Sequence, residues 1–401
     1  MNIFKRIYCR VVQWVFRVAA PCMPYREPKL LSSIDELPGL LLENGVRAAM
    51  LVTDRGVRAA GLTRPLEEGL LKSGIRTAVY DGTCANPTVK NVEEARELYI
   101  TEGCECLIAF GGGSAIDCAK ALGARIAYPK KSLDKLKGLL HVTRKIPTLI
   151  AIPTTAGTGS EVTLAAVITD SEEHHKYTLM DFNLIPRYAV LDPGVTLSLP
   201  KELTATTGMD ALTHATEAYI GGSTTKKSRK AALEAVRLIF ENLYLAYKDG
   251  SDRQARENML KASYLAGVAF SRSYVGYVHA VAHSLGGQYN IPHGLANATL
   301  MPIVLEAYGK TAHKKLYELA VAAGVADKED GFDVGAGKYT EAIRELNLKM
   351  GIPQRLRGIR EEDIPKMAHH ASVEANPLYP VPTLMDEGEL EGFYYKVMEQ
   401  V

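Results

Sequence analysis

Short apolar runs alternate with helical patterns through the first half of the chain, and this alternation restricts the fold more than any other feature. The segments between the runs have helical periodicity and commonly end in glycine. Strands that are apolar along their whole length are typical of a parallel sheet covered by helices on both faces. The runs are AAMLVTD (48–54), RTAVYDG (76–82), CLIAF (106–110), LIAIPTT (149–155) and AAVITD (165–170).

The character of the sequence changes near Leu199 and Pro200. Beyond this point nearly every segment has helical periodicity, as in ELTATTGMDALTHATEAYI and SRKAALEAVRLIFENLYLAY. We therefore predict an α/β domain with a parallel sheet over residues 29–199 and an all-helical domain over residues 200–401. Residues 1–28 form a separate helical extension in this prediction.

The extension MNIFKRIYCRVVQWVFRVAAPCMPYREP is apolar but is interrupted by Lys5, Arg6, Arg10 and Arg17. It is too charged to span a bilayer or to supply the apolar region of a signal peptide. A basic amphipathic helix is able to lie on a membrane surface. We favour the alternative, in which the helix packs on its own domain or on a second subunit.

The overall composition excludes several classes of protein. The 401 residues are 47% hydrophobic and 23% charged, with a formal net charge of +1. This is a globular composition that does not predict nucleic acid as the main partner. All six cysteines lie in the first third of the chain, and Cys104 and Cys106 are too close for a CxxC motif. We interpret them as reduced thiols of a cytoplasmic protein.

The segment CLIAFGGGSAIDCAK places a glycine cluster, Gly111 to Gly113, between an apolar run and a helix. Glycines allow a ligand to approach the backbone closely. Ser114 is predicted to cap the helix, with Asp117 three residues later as in a capping box. Free amides at the helix start would then bind a pyrophosphate. The loop matches neither GxGxxG nor GxxxxGK[ST], and a tight turn without a ligand is the alternative interpretation.

Two further features point to a nucleotide. PTTAGTGSEVT (153–163) follows an apolar run and offers hydroxyls together with exposed amides. Asp54 lies at the carboxyl end of the first predicted strand of the alternating region, where a carboxylate accepts hydrogen bonds from an adenosine ribose and repels a 2′-phosphate. That placement favours NAD(H) over NADP(H). A charge at a helix N-terminus is the alternative role of Asp54.

Candidate metal ligands are concentrated in the second half. GMDALTHATEAY spaces Asp210 and His214 by four residues, and HAVAHSLGGQYNIPH spaces His279 and His283 in the same way before His293. Residues four apart project from one face of a helix. One carboxylate with several imidazoles suits Fe²⁺ or Zn²⁺. A lone DxxxH motif usually lies on a solvated helix face. Five candidate ligands exceed what one metal ion needs, so at least one of these residues has another role, such as proton transfer or support of a ligand.

A dinucleotide site together with a divalent metal indicates hydride transfer at a carbon that bears oxygen. The metal would polarise the oxygen as a Lewis acid, and the nicotinamide would supply or take the hydride. The expected substrate is therefore a small alcohol or aldehyde.

GGGSAID, PTTAGTGSEVT, GMDALTHATEAY and HAVAHSLGGQYNIPHGLANA together resemble the iron-containing, or group III, alcohol dehydrogenase family from about residue 45 to about residue 310. The resemblance implies an α/β nucleotide domain, a helical metal domain, an active site between them, and a homodimer or larger homo-oligomer. It implies that the metal ligands are Asp210, His214, His279 and His293. His283 would then stand near the substrate and the nicotinamide as a proton carrier. The implied cofactor residues are Asp54, Asn86, Gly112, Gly113, Ser114, Thr154, Thr155, Thr158 and Lys176.

The leading hypothesis is thus an NAD(H)- and Fe²⁺-dependent alcohol dehydrogenase or aldehyde reductase. An enzyme similar to glycerol dehydrogenase, or another polyol oxidoreductase of the same superfamily, is the alternative, although GMDALTHATEAY and the PTTAGTGSEVT loop argue against it. A non-catalytic scaffold is a third hypothesis that we disfavour. A chain that had drifted from catalysis would be expected to lose some of the five candidate metal and acid–base residues, and all five are present.

Overall fold

A computed structural model describes residues 1–170 and 175–399. The chain folds as two compact units. One is Pro24–Leu199, and the other combines Met1–Met23 with Pro200–Val401. The first 23 residues are therefore part of the same unit as the helical half of the chain.

The α/β unit consists of alternating strands and helices in its described residues. Its strands are β1 (Lys29–Leu31), β2 (Ala48–Val52), β3 (Arg76–Tyr80), β4 (Cys106–Gly111), β5 (Gly138–Leu139), β6 (Thr148–Pro153), β7 (Ala165–Asp170), β8 (His175–Met180) and β9 (Tyr188–Val190). Its helices are α2 (Leu37–Glu43), α3 (Arg55–Ala59), α4 (Arg64–Lys72), α5 (Val89–Thr101) and α6 (Gly113–Ala127).

The main sheet has the strand order β1-β9-β6-β4-β2-β3, and all of its recorded pairings are parallel. In the centre of the sheet, Ile108 lies opposite Leu51 on one neighbour and Ile150 on the other. Each face of the sheet carries its own apolar cluster, because strands that are apolar throughout contribute side chains to both faces. The predicted parallel sheet is confirmed.

One predicted strand lies outside this sheet. The run AAVITD (165–170) forms β7, which pairs antiparallel with β8 in a small separate sheet of order β5-β8-β7. The prediction that it continues the parallel series was wrong. The connection from β7 to β8 is too short for the crossover that two parallel strands need, so these strands form an antiparallel pair.

The second unit is helical in its described residues, as predicted. It contains α1 (Ile3–Ala19), α7 (Lys201–Ile220), α8 (Lys226–Lys248), α9 (Arg253–Ser273), α10 (Tyr277–Tyr289), α11 (His293–Ala307), α12 (Lys310–Ala322), α13 (Phe332–Lys349), α14 (Ile364–Ala375) and α15 (Glu387–Val397). The central helix is α7, which packs against α8, α9 and α11 and is buried along nearly all of its length. Among the described helices, none has both the length and the hydropathy that crossing a bilayer requires.

Candidate functional site

Helix α7 carries Asp210 and His214, one turn apart, in the interior of the helical unit. Asp210 is 2% exposed and His214 is 6% exposed. A carboxylate is almost never buried to this extent unless it is paired with positive charge or bound to a metal. The DxxxH pair is therefore not part of a solvated helix face, which was the alternative interpretation of that spacing.

Three of the predicted ligand atoms converge. Oδ1 of Asp210 lies 3.8 Å from Nε2 of His279 on α10 and 3.4 Å from Nε2 of His293, the first residue of α11. All three atoms lie within 4.8 Å of one another, which is the arrangement needed to hold one metal ion. Nδ1 of His214 lies 3.9 Å from the same carboxylate oxygen. The ring of His214 stacks on that of His279 with 4.5 Å between ring centroids, so it borders the cluster.

The side-chain amide of Asn297 lies at the centre of this cluster. Its Nδ2 is 2.7 Å from Asp210 Oδ1, 3.1 Å from His293 Nε2 and 3.3 Å from His279 Nε2. When both Nε2 atoms are unprotonated, as metal binding requires, the two hydrogens of one amide cannot satisfy three acceptors. The buried cluster therefore needs a further positive centre. A divalent cation that prefers nitrogen and oxygen ligands fits this donor set.

The pKa values of the clustered side chains also indicate that this site attracts positive charge. Burial alone would raise the pKa of Asp210, but the surrounding histidines His214, His293 and His279 hold it well below its usual range. Burial would lower the pKa of His279, yet the neighbouring carboxylates of Asp210 and Glu217, the second through a hydrogen bond, raise it to about 9. The two carboxylates thus attract positive charge to the point where the ligand atoms meet.

Glu217 is a functional residue that the sequence analysis missed. Its Oε2 accepts a hydrogen bond of 2.6 Å from Nδ1 of His279, which leaves Nε2 directed at the cluster. Its two oxygens also accept the backbone amides of Gly276 and Val278, each at 2.8 Å, at the start of α10. A Cβ on Gly276 would lie 2.6 Å from Oε1 of Glu217, so this contact requires glycine. The available signal was the spacing of Glu217 on α7, seven residues after Asp210 and on the same face.

His283 stands beside the three converging side chains rather than among them. Its ring stacks on that of His293 with 5.0 Å between centroids, and its side chain is 41% exposed. Nδ1 donates to Oε1 of Glu374 at 2.6 Å, and the same oxygen accepts the hydroxyl of Tyr379 at 2.7 Å. Burial would raise the pKa of Glu374, but His283 and Tyr379 lower it, so the carboxylate stays charged. The sequence analysis did not identify Glu374 or Tyr379.

In the α/β unit, the glycine cluster connects β4 to α6 as predicted, but the predicted cap is wrong. The helix begins at Gly113 with Gly112 as its N-cap, and no side chain caps it. Asp117 does not complete a capping box with Ser114. It accepts hydrogen bonds from the Ser160 hydroxyl at 2.6 Å and from the Val167 amide at 3.0 Å. The reason is tertiary: the loop after β6 packs over α6 and supplies better partners.

The two predicted nucleotide loops touch each other. The Thr154 amide donates to the Gly111 carbonyl at 3.1 Å. A Cβ on Gly113 would lie 2.8 Å from Cγ2 of Thr158, and one on Gly112 would lie 3.5 Å from Oγ1 of Thr155. The loops therefore place their amides and hydroxyls around the N-terminus of α6, a position whose free amides suit an anion.

A buried lysine fastens the second loop. Nζ of Lys120, on α6, shares its three hydrogens among four oxygens: the Ala165 carbonyl at 2.7 Å, the carbonyl and hydroxyl of Thr163 at 2.9 Å each, and the Ser160 hydroxyl at 3.2 Å. Burial lowers the pKa of Lys120 to about 8, against the opposing effect of Asp117 and Glu161. Burial also raises the pKa of Glu161 to about 7. Lys120 is a further residue that the sequence analysis missed.

The remaining predicted cofactor residues are Asp54, Asn86 and Lys176. Asp54 follows β2 and caps α3, accepting the Val57 amide at 2.9 Å, which is the structural role considered as its alternative. Asn86 has a left-handed backbone, with φ of 58°, and its side chain accepts a hydrogen bond from Nζ of Lys176 at 3.0 Å. Asp54, Gly112 and Thr154 all follow parallel strands of the main sheet at their carboxyl ends, the edge at which open α/β sheets bind ligands.

Residues 31–193 match the family described as iron-containing alcohol dehydrogenase, and residues 204–398 match the C-terminal part of the same family. The chain is 39% identical over 369 residues to a 1,3-propanediol dehydrogenase of Klebsiella pneumoniae, covering 90% of this chain and 94% of that protein. A crystal structure of a 1,3-propanediol oxidoreductase aligns with a TM-score of 0.90 at 36% identity, covering 93% of this chain and 99% of the other. A sulfoacetaldehyde reductase of Bifidobacterium kashiwanohense in complex with NAD⁺ aligns with a TM-score of 0.83 at 27% identity over 93% of this chain and 98% of the other.

Proposed function

The chain belongs to the family of iron-containing alcohol dehydrogenases and is an NAD- and Fe²⁺-dependent alcohol–aldehyde oxidoreductase, and from this premise we propose how its residues divide the reaction and which substrates it takes. The convergence of Asp210, His279 and His293 on one point carries the proposal. Three acceptors facing one amide nitrogen make a site that a divalent cation completes.

In this proposal Asp210, His214, His279 and His293 hold the metal. The support for His214 is its position 3.9 Å from Asp210 Oδ1, beside the three converging atoms. When bound, Fe²⁺ supplies Lewis-acid polarisation of the substrate oxygen. Glu217 holds the tautomer of His279, and its carboxylate offsets part of the positive charge of the site.

His283 carries the proton in this proposal. Nδ1 is committed to Glu374, so Nε2 is the atom that accepts a proton from the alcohol or returns one to the alkoxide. Exposure of the ring allows the proton to pass on to water. Glu374 thereby acts as a positioning residue, in the way a buried carboxylate orients the histidine of a hydrolase triad.

NAD(H) would bind on the α/β unit. The proposed cofactor residues are Asp54, Asn86, Gly112, Gly113, Ser114, Thr154, Thr155, Thr158 and Lys176. The N-terminus of α6 and the adjoining hydroxyls suit the pyrophosphate, and Asp54 suits a ribose that carries two free hydroxyls. A 2′-phosphate next to Asp54 would be repelled, which gives the preference for NAD(H) over NADP(H).

We propose short primary alcohols and aldehydes with a second oxygen function, such as 1,3-propanediol, as the substrate class. Support comes from the 1,3-propanediol dehydrogenase that is 39% identical over most of both chains. We also propose a cytoplasmic homodimer or larger homo-oligomer. The six cysteines are all free, which suits a reducing compartment.

The first test is NADH oxidation by anaerobic protein reconstituted with Fe²⁺, with butyraldehyde as a general acceptor. We expect rapid loss of NADH, little loss of NADPH, and abolition of activity by a chelator. NAD⁺ reduction with 1,3-propanediol, butanol and glycerol then ranks the substrates. A rate on glycerol far above the other two would replace the proposed substrate class with that of a glycerol dehydrogenase.

A further inference from the structure

Helix α1 differs from an ordinary surface helix in the side that it turns toward solvent. The two residues that it buries are Cys9 and Gln13, and most of its large apolar side chains point outward. Phe4 is 81% exposed and Trp14 is 63% exposed. The main members of this outer face are Phe4, Ile7, Tyr8, Val11, Trp14 and Val18.

The exposed apolar residues form one continuous surface. At 3.6 residues per turn, the positions from Ile3 to Val18 that are apolar and exposed span an arc of about 140°. A soluble helix normally turns such an arc toward the core. An exposed apolar surface of this kind marks an interaction site.

The inward face is fastened by specific polar contacts, so the outward direction of the apolar arc is determined by the fold. The Arg10 guanidinium donates to the carbonyls of Val381 at 2.8 Å and Pro382 at 2.9 Å. The Gln13 amide donates to the Tyr379 carbonyl at 2.8 Å. Phe16 packs edge-on against Tyr274 with 5.5 Å between centroids. Packing of the helix on its own unit therefore accounts for the face that carries Cys9, Gln13 and Phe16 and leaves the apolar arc uncovered.

Cations border the apolar arc. Arg6, Arg10 and Arg17 follow one edge of the helix and Lys5 lies near the other, while the first 26 residues contain no aspartate or glutamate. A groove of about 560 Å³ runs between the helix and the segment 382–384, with Arg6 and Arg10 beside Ile7, Trp14 and Leu384. The groove offers the Arg6 guanidinium beside apolar walls, which suits a phospholipid with an anionic headgroup, while the Arg10 guanidinium is bound to the Val381 and Pro382 carbonyls.

We propose that α1 docks the enzyme on the surface of a membrane that contains anionic phospholipids. An apolar arc with interfacial aromatic residues and flanking cations is the chemistry of a helix that lies in the headgroup region. A second copy of the chain is a poorer occupant. Either orientation of two facing α1 helices brings cationic edges together, and neither helix supplies an acidic residue to neutralise them.

Trp14 provides a direct probe, because it is the one tryptophan of the chain. The metal-loaded, full-length protein would be mixed with phosphatidylcholine vesicles that contain phosphatidylglycerol or lack it. We expect a blue shift of the Trp14 emission and co-sedimentation with the anionic vesicles. We expect neither with pure phosphatidylcholine, and a loss of binding as salt is added.

Two variants test which part of the helix binds. Arg6→Gln/Arg17→Gln should lower the partition coefficient on anionic vesicles roughly thirtyfold, at about fivefold per cation. Phe4→Gln/Val11→Gln, which keeps Trp14, should lower it by about tenfold or more. The matched controls are Arg64→Gln/Lys90→Gln and Leu71→Gln/Leu348→Gln, which remove exposed groups of the same kinds elsewhere. They should bind vesicles like the unaltered protein, and NADH oxidation should be unchanged in all four.

Three results would overturn the proposal. The first is an unshifted Trp14 emission with the protein left in the supernatant at millimolar anionic lipid. The second is vesicle binding that Phe4→Gln/Val11→Gln leaves intact. The third is a blue shift that appears without lipid as protein concentration rises, together with an increase in mass in sedimentation that Phe4→Gln/Val11→Gln abolishes, which would assign the apolar arc to a second copy.

Discussion

Oε2 of Glu217 and Nδ1 of His279 are joined by a hydrogen bond of 2.6 Å, although the two residues are 62 positions apart in the chain. The same carboxylate accepts the amides of Gly276 and Val278 at the start of α10. One side chain of α7 therefore positions the N-terminus of α10 and directs Nε2 of His279 toward Asp210. Residues that orient a ligand in this way contribute strongly to metal affinity.

Replacing Glu217 by Gln should weaken Fe²⁺ binding by about 10- to 100-fold, because the glutamine keeps the size of the side chain but not the charge. The measurement is a competitive titration of the metal-free protein against a chelator of known affinity. Glu234→Gln, a substitution at a surface residue, is the control. Unchanged affinity in Glu217→Gln would show that the hydrogen bond is structural only.

Metal content should separate the ligands from the proposed proton carrier. His279→Ala and Asp210→Ala should lose bound iron and activity together, because each removes a donor from the converging set. His283→Ala should keep its iron while turnover falls by about 10²-fold or more. Metal analysis of each purified variant decides the matter. Loss of iron from His283→Ala would place His283 among the ligands and contradict the assignment.

Glu374→Gln should lower kcat by roughly tenfold to a hundredfold with little change in KM or iron content. The glutamine no longer provides the charge that fixes the ring of His283. Glu387→Gln is a matched control, since Glu387 pairs with the exposed His369 at 3.2 Å in the same unit. Partial rescue by Glu374→Asp is expected if the carboxylate acts through His283. A proportional fall of kcat in the control would indicate a general surface effect.

Lys120→Met should lower the free energy of unfolding by about 2–4 kcal/mol, because buried carbonyls and two buried carboxyl groups lose their cation. NADH affinity should fall with it, since Lys120 fastens the loop that contains Thr158. Lys130→Met, at an exposed position, is the control.

Lys120 should also make the stability of the folded protein depend on pH. With its pKa lowered to about 8 in the folded protein, the unfolded chain binds more protons between about pH 8 and pH 10. The contribution of Lys120 to stability therefore rises with pH over that window. Denaturant unfolding of the unaltered protein and of Lys120→Met at pH 7.5 and pH 9.5 would reveal this difference. A stability gap that narrows with rising pH would contradict it.

Replacing Asp54 by Asn separates the effect of its negative charge from its role as the cap of α3. Asparagine caps a helix as well as aspartate does, so the interaction with the Val57 amide remains while the negative charge is lost. The ratio of kcat/KM for NADPH to that for NADH should rise by about tenfold. Asp54→Ala, which loses both functions, should also lower stability by about 1 kcal/mol. An unchanged cofactor ratio in Asp54→Asn would leave Asp54 with its capping role alone.

Local patterns were enough to predict the parallel sheet, the helical second half and the family, and all three are confirmed. The i, i+4 spacing of Asp210 and His214 needs only one helix to bring them to one face. Local patterns gave a wrong prediction where a residue distant in the chain supplied a competing partner. Ser114 and Asp117 have the spacing of a capping box, but Ser160, 43 residues away from Asp117, takes the carboxylate instead.

The sequence by itself determined which elements form and which side chains have the chemistry to bind a metal and a nucleotide, because periodicity and residue type are local properties. Only the tertiary structure decided that Glu217 orients His279, that Asn297 faces three ligand atoms, and that Glu374 lies against His283 from 91 residues away. The tertiary structure also decided that the apolar side of α1 faces outward, because an amphipathic pattern does not show which side of a helix faces the core. These contacts depend on how helices pack, and packing joins residues whose separation along the chain carries no periodic signal.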